Sequence, residues 1–281
     1  MNDPTRDPAP AVTRALRVLE LLEQAGGAPL TLSDLARALG AAKSSTSNIC
    51  AVLEEGGMIR RAEAGYRLGR RTAELGGAFA HQFNQVREFY GVVESDPVLR
   101  GEVVQVAMLD GDTSLYLARH EGRAHRLGTP LGSRLAAVST GVGLAMLSRL
   151  DDAVIDEVIA RTAAGGPSAG STPSIAGSLA TAGTPATGDI PSAARIPSGA
   201  EIRAQIAEAR ARGYSVDPGH GFDGIWGVAV PLEPWRPSDP QLALGVAIPA
   251  AEADEATVER VGRAALAVAA QLTNPFLRPA D

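Results

Sequence analysis

Lys43, Ser44, Ser45, Ser47 and Asn48 bring one cation, three hydroxyls and one carboxamide together within six residues, and Arg60, Arg61 and Arg67 follow a short way downstream. Hydroxyl and amide groups both donate and accept hydrogen bonds. An asparagine carboxamide matches the edge of adenine, and guanidinium groups pair with phosphates or with guanine. The first group can read base edges if its members share one helix face, and the second can grip a phosphate backbone if it sits on a neighbouring ribbon.

Other constellations carry less. Gly219, Gly221 and Gly224 have the spacing of a dinucleotide-binding loop, but they lie after a helix and before a strand. A phosphate cradle needs a helix to start directly after the glycines, so no nucleotide cofactor is expected. The four histidines, His81, His120, His125 and His220, lack metal-ligand spacing, and Cys50 is the single cysteine, too few for a zinc knuckle. No cofactor or metal is expected on these grounds, although distant segments could still supply ligands. Asp217 and His220 could pair as acid and base, but no serine or cysteine occupies a G-x-S-x-G turn. Catalysis is therefore not the expected activity.

The elements that must position the first two groups can be read locally. Thr31 with Asp34 resembles a capping box, and Leu32, Leu35, Ala36 and Leu39 recur at the spacing of one buried helix face. A helix is predicted over Leu32 to Leu39, a tight turn at Gly40, and a second helix with Thr46, Ile49, Cys50 and Leu53 inward. That leaves Lys43, Ser44, Ser45, Ser47 and Asn48 outward. Met58-Ile59 and Tyr66-Arg67-Leu68 alternate across a turn at Glu63-Ala64-Gly65 and predict a hairpin carrying the three arginines. Helix, turn, helix and hairpin make a winged helix-turn-helix.

Composition divides the chain in the same way. The 281 residues carry a formal charge of −6, yet residues 11–71 sum to +3 and residues 72–281 to −8. Positive charge sits where the motif sits. No apolar run approaches the ~18 residues of a membrane span and no signal-peptide pattern opens the chain, so neither membrane nor secretion is expected and the compartment should be the cytoplasm.

In chain order, residues 1–10 read as a disordered lead-in, and residues 11–71 as the DNA-binding domain. Its first helix should bury Val12, Ala15, Leu16, Leu19 and Leu22, and Leu30 should form a minimal strand against the wing. Thr72 to Phe83 is predicted helical, with Leu75, Phe79 and Phe83 along one side, so residues 72–85 form a linker helix. Residues 86–281 make a second, α/β domain. It should contain a helix over Val86 to Leu99, a hairpin turning at Asp110-Gly111, a strand at Ala124 to Leu127, and helices over Ser139 to Leu150 and Asp152 to Thr162. Residues 165–199, rich in Gly, Ser, Thr, Ala and Pro, read as a flexible insertion. A helix over Glu201 to Arg212 closed by Gly213, a loop at Tyr214 to Val216, strands at Ile225 to Leu232 and Leu242 to Ile248, and a helix over Glu255 to Leu272 complete it.

The segments TRALRVLELLE, LARALGAAKSS, LEEGGMI and YRLG resemble the IclR family of bacterial transcriptional regulators, and the order of elements in the C-terminal half matches that family's effector-binding domain, which is similar to GAF and PAS sensory folds. The resemblance implies a regulator that binds a palindromic double-stranded DNA operator as a homodimer or homotetramer, paired in part through the linker helix. It also implies an effector pocket at Gly141, Val142, Asp217, Gly227, Gly245 and Ala247. The chain departs from the family's pattern in places. Gly227 stands where Cys is common, Gly245 and Ala247 where small hydroxyl residues occur, Leu144 where Lys is common, and Asn48 where Arg is common. Each pocket change removes bulk or polarity, so a roomier, more apolar pocket for an aromatic or bulky effector is expected. The rival reading is an enzyme or metal-dependent sensor whose N-terminal module serves only assembly, and a third is a small-molecule-binding protein whose helix-turn-helix has lost its operator. Turnover of a bound compound without DNA affinity would favour the rival.

Overall fold

The computed structural model describes residues 7–122, 129–164 and 195–274. The expected strand at Ala124 to Leu127, nearly all of the expected 165–199 insertion and most of the lead-in lie outside them. The chain divides into two compact units, one ending at Phe79 and the other beginning at Ala80.

In the first unit, α1 (Pro10–Gln24), α2 (Leu32–Leu39) and α3 (Lys43–Glu55) precede the hairpin β1 (Ile59–Ala62) and β2 (Gly65–Leu68). Val18, Leu22, Leu35, Cys50, Ile59 and Tyr66 form its core. The capping box holds as predicted: Thr31 accepts from the Asp34 amide and the Asp34 side chain returns to the Thr31 backbone. Gly40 closes α2 in the left-handed conformation with φ 58°, which L side chains resist. The stripe expected on α1 is corrected. Val18 and Leu22 are buried, while Val12 and Leu16 are exposed, because the inward face runs through Val18 rather than through Leu16.

The hairpin turn is also tighter than expected. Ala62 faces Gly65 across the ladder, leaving Glu63-Ala64 as a two-residue loop. The Leu30 bridge to Tyr66 forms as expected, with backbone bonds of 3.0 and 2.8 Å. It explains Gly65, where a Cβ would stand 2.2 Å from the Leu30 carbonyl oxygen.

The expected single helix from Thr72 to Phe83 is α4 (Arg70–Ala80), and the next is α5 (Asn84–Ser95). Phe83 caps α5 in extended conformation and belongs to the second unit's core, so it does not continue the Leu75–Phe79 stripe. A short 3-10 turn at Leu99–Gly101 follows the segment where the sequence predicted helix to Leu99.

The second unit is built on a six-stranded antiparallel sheet. Its strands are β3 (Val103–Asp110), β4 (Thr113–Glu121), β5 (Arg134–Ala136), β6 (Ser215–Asp217), β7 (Ile225–Leu232) and β8 (Leu242–Pro249), in the order β5-β4-β3-β8-β7-β6. The β3–β4 turn is Gly111-Asp112, since Asp110 pairs with Thr113. β6 occupies the stretch expected to be loop, because Ser215 to Asp217 gain a ladder along β7. α6 (Gly141–Leu147) starts two residues later than predicted, α7 (Asp152–Ala163) and α9 (Glu255–Gln271) lie where expected, and α8 (Gly199–Arg212) begins earlier, capped by Ser198 and Glu201.

Residue size alternates along the central strands. Val104, Val106, Val228, Val230, Leu244 and Val246 face α5 and α9 in the large core. The intervening Ala107, Ala229 and Ala243 face α6 in a thinner one with Val142, Ala145 and Met146. A strand shows successive side chains to opposite faces, so the alanines thin the middle of this face, and α6 settles close to it. All seven residues of α6 are buried.

Candidate functional site

The residues expected to read base edges lie at the start of α3. Thr46 and Cys50 are buried, Lys43, Ser44 and Asn48 are exposed, and Ser45 and Ser47 are half-buried beside them. Of the five residues expected to point outward, Lys43, Ser44 and Asn48 do so fully, and Ser45 and Ser47 only in part.

The three arginines of the wing do not act alike. Arg60 and Arg67 sit opposite one another in the β1–β2 ladder and share a face, whereas Arg61 faces Tyr66 on the other. Arg61 donates to Glu54 of α3 at 3.2 Å and its guanidinium lies 5.3 Å from the centre of the Tyr66 ring. The Glu54 hydrogen bond holds the Arg61 pKa above its ordinary value. Arg61 thus ties the wing to the end of α3. The ribbon expected to present three equivalent cations presents Arg60 and Arg67 on one side.

In the second unit, a cavity of about 50 Å³ lies between the sheet and the start of α6. Every residue expected at the effector site lines it: Gly141, Val142, Asp217, Gly227, Gly245 and Ala247. The expected roominess does not follow. A Cβ on Gly245 would stand 2.4 Å from Val142 Cγ1, and one on Gly141 would stand 3.0 Å from the Gly227 carbonyl oxygen. These positions are small because α6 packs on them, and the volume given up by their side chains is filled by the helix. Only Gly227 has ordinary clearance, 3.6 Å to Gly141. Leu144 is not at the cavity at all. It is buried with Leu147, Ile155, Ile202 and Ile206, on the α7 and α8 side of α6.

Asp217 is the one charged residue of the implied effector pocket. Its carboxylate is buried and already engaged, with Oδ1 accepting from the His220 amide at 2.8 Å and Oδ2 from the Gly221 amide at 3.2 Å. His220 Nδ1 lies 3.0 Å from Oδ1. Burial raises the Asp217 pKa above the ordinary carboxylate value, against the lowering effect of these amides and of His220. The loop through Gly219 and Gly224, both at positive φ, wraps this carboxylate and leads into β7, so the glycine spacing serves a turn and not a phosphate.

Sequence reasoning missed the polar lining. Gln105 of β3 donates to the Thr129 carbonyl at 2.6 Å. Tyr116 of β4 is pushed up to about 12 by burial and hydrogen-bonds with Thr129 and Thr140. Thr140 caps α6 by accepting from the Gly143 amide at 3.1 Å, and Ser215 donates to the Gly141 carbonyl at 2.7 Å. Gln105, a polar residue inside the apolar run VVQVAM, was the one available signal, since a buried amide in a central strand needs a partner.

Among the described residues no group of three or more His, Cys, Asp and Glu is arranged to hold a metal ion, and no helix is long and apolar enough to cross a membrane.

Residues 11–63 match the IclR helix-turn-helix domain. The first unit is thus similar to an IclR helix-turn-helix domain. Among curated relatives, the HTH-type transcriptional repressor AllR of Klebsiella pneumoniae is 27% identical over 157 residues, covering 55% of this chain and 57% of that protein. The match thus spans little more than half the length of that relative. Among solved structures, an IclR transcriptional regulator from Alicyclobacillus acidocaldarius superposes with a TM-score of 0.71 at 20% identity, over 94% of this chain and 97% of the other. An IclR homologue from Microbacterium hydrocarbonoxydans, crystallised with 4-hydroxybenzoate, gives 0.69 at 23% identity, over 93% and 98%. Both likenesses are of fold: a helix-turn-helix region followed by an α/β domain.

Proposed function

We propose that this protein is a regulator of the IclR type that binds a palindromic DNA operator as a dimer or tetramer, with α3 in the major groove and the Arg60–Arg67 face of the wing on the phosphate backbone, and that it releases or engages that operator in response to a small-molecule effector. The observation that carries the reading is the outward face of α3: Lys43, Ser44 and Asn48 are exposed at the helix start, where recognition helices contact base edges. Two half-sites multiply the discrimination available to one small module. Repression is supported by the AllR relatives, which are transcriptional repressors. Residues 11–71 serve as the DNA-binding domain, 72–85 as the linker and 86–281 as the effector-binding domain, and the sheet order supports the GAF/PAS-like reading of that last domain.

The effector site is the cavity between α6 and the sheet. An engineered cavity of about 150 Å³ admits benzene, and this one is about a third of that size. In the form described it suits an effector of a few heavy atoms, held by Gln105, Thr140 and the start of α6. A ring such as the 4-hydroxybenzoate of the Microbacterium homologue would require the cavity to open. Ligand binding shifts the balance between arrangements of the paired DNA-binding domains only through different affinities for them.

The deciding experiment is selection of bound sequences from random DNA at stated salt, followed by release assays with two- and three-carbon acids and amides against aromatic acids. Recovery of a palindrome and release by the short compounds is expected. No enriched sequence would overturn the regulator reading, and release by aromatic acids alone would overturn the small-effector reading.

A further inference from the structure

Val52 is the most exposed large apolar side chain among the described residues, at 68%. It lies in α3, the helix assigned to the major groove, and its spacing from Ser45 and Asn48 is i, i+3, i+7. That spacing puts the three on one stripe of a helix, away from the buried Thr46 and Cys50. Val52 has no core role, and a β-branched residue is a poor choice for an exposed helical position on propensity alone. In a major groove the one apolar group on a base edge is the 5-methyl of thymine.

We propose that Val52, one turn of α3 beyond Asn48, is a specificity-determining residue that packs against a thymine methyl. The inference rests on the DNA-binding reading above and adds a base to it. Asn48 suits adenine and Val52 suits thymine, so each half-site carries adjacent A·T pairs read by two different chemistries, one a hydrogen-bonded amide edge and the other a methyl contact. Lys43 and Ser44, closer to the helix start, are left for phosphate or base contacts upstream.

The test uses the full chain and the operator recovered by selection. Each thymine of a half-site is replaced singly by deoxyuridine, which keeps the base pair and removes only the methyl, and affinity is read by fluorescence anisotropy at fixed salt. Losing one buried methyl-sized contact should weaken binding about fourfold per half-site at a single thymine. The Val52→Ala variant should bind the thymine and deoxyuridine operators alike, while Val52→Thr, which keeps one methyl, should retain part of the difference. Circular dichroism confirms that the exposed substitution leaves the helices formed. If no thymine shows the effect, or if Val52→Ala keeps it in full, the methyl contact is wrong while operator binding stands. If selection recovers no sequence, both the contact and the reading beneath it fall.

Discussion

Arg60 and Arg61 are neighbours in sequence with different work to do. Arg60 shares a ribbon face with Arg67, and a phosphate contact from either contributes to counterion release. Replacing Arg60 or Arg67 with Ala should lower the slope of log affinity against log salt by roughly 1 each. Arg61, held by Glu54 and the Tyr66 ring, should leave that slope unchanged when replaced, and an equal fall for all three would return it to the interface. Asn48→Ala should relax preference at one base pair per half-site by about 1 to 3 kcal/mol. A uniform loss over all bases in the selected-sequence assay would make Asn48 a backbone contact. The outward identity of these residues was legible from helical spacing. The role of Arg61 was not, because it depends on the ladder register, and a hairpin one residue tighter or looser would turn it to the other face.

At the scale of elements, the contact between α6 and the sheet decides the second unit. Val142 is β-branched and holds one preferred rotamer in a helix, so it cannot turn away from a methyl added at Gly245. Gly245→Ala should cost about 1 to 3 kcal/mol as overpacking, Gly227→Ala should be close to neutral in urea unfolding, and Gly245→Ala with Val142→Ala should recover most of the loss. Equal stability for both single variants would mean that α6 is free to shift. Periodicity made most elements legible, since Ile225 to Leu232 and Glu255 to Leu272 carry strong alternation or helical spacing and the structure agrees within a residue. It missed β6, whose three residues are strand only because β7 is beside them. It also misread the small residues of the site. Gly and Ala leave room in a sequence, but in the fold α6 packs into that room, with Val142 against Gly245.

For the molecule as a whole, Asp217 links acidity to stability. Its folded pKa is raised by burial, so the folded state holds the proton more tightly than the unfolded chain. That stability is fully present below the ordinary carboxylate value and is lost as pH rises through the folded pKa. The advantage of the wild type over Asp217→Asn in urea midpoints should therefore shrink as pH is raised from about 4. An advantage that grows with pH would show that the amides of His220 and Gly221 outweigh burial. The same cavity has a mechanical consequence. Whatever part of this space of about 50 Å³ is dry in the folded state adds, up to about 30 mL/mol, to the volume decrease that makes proteins yield to pressure. Any molecule that fills the void removes part of that decrease, so unfolding under hydrostatic pressure can screen compound libraries for occupants with neither an operator nor a guess at the effector.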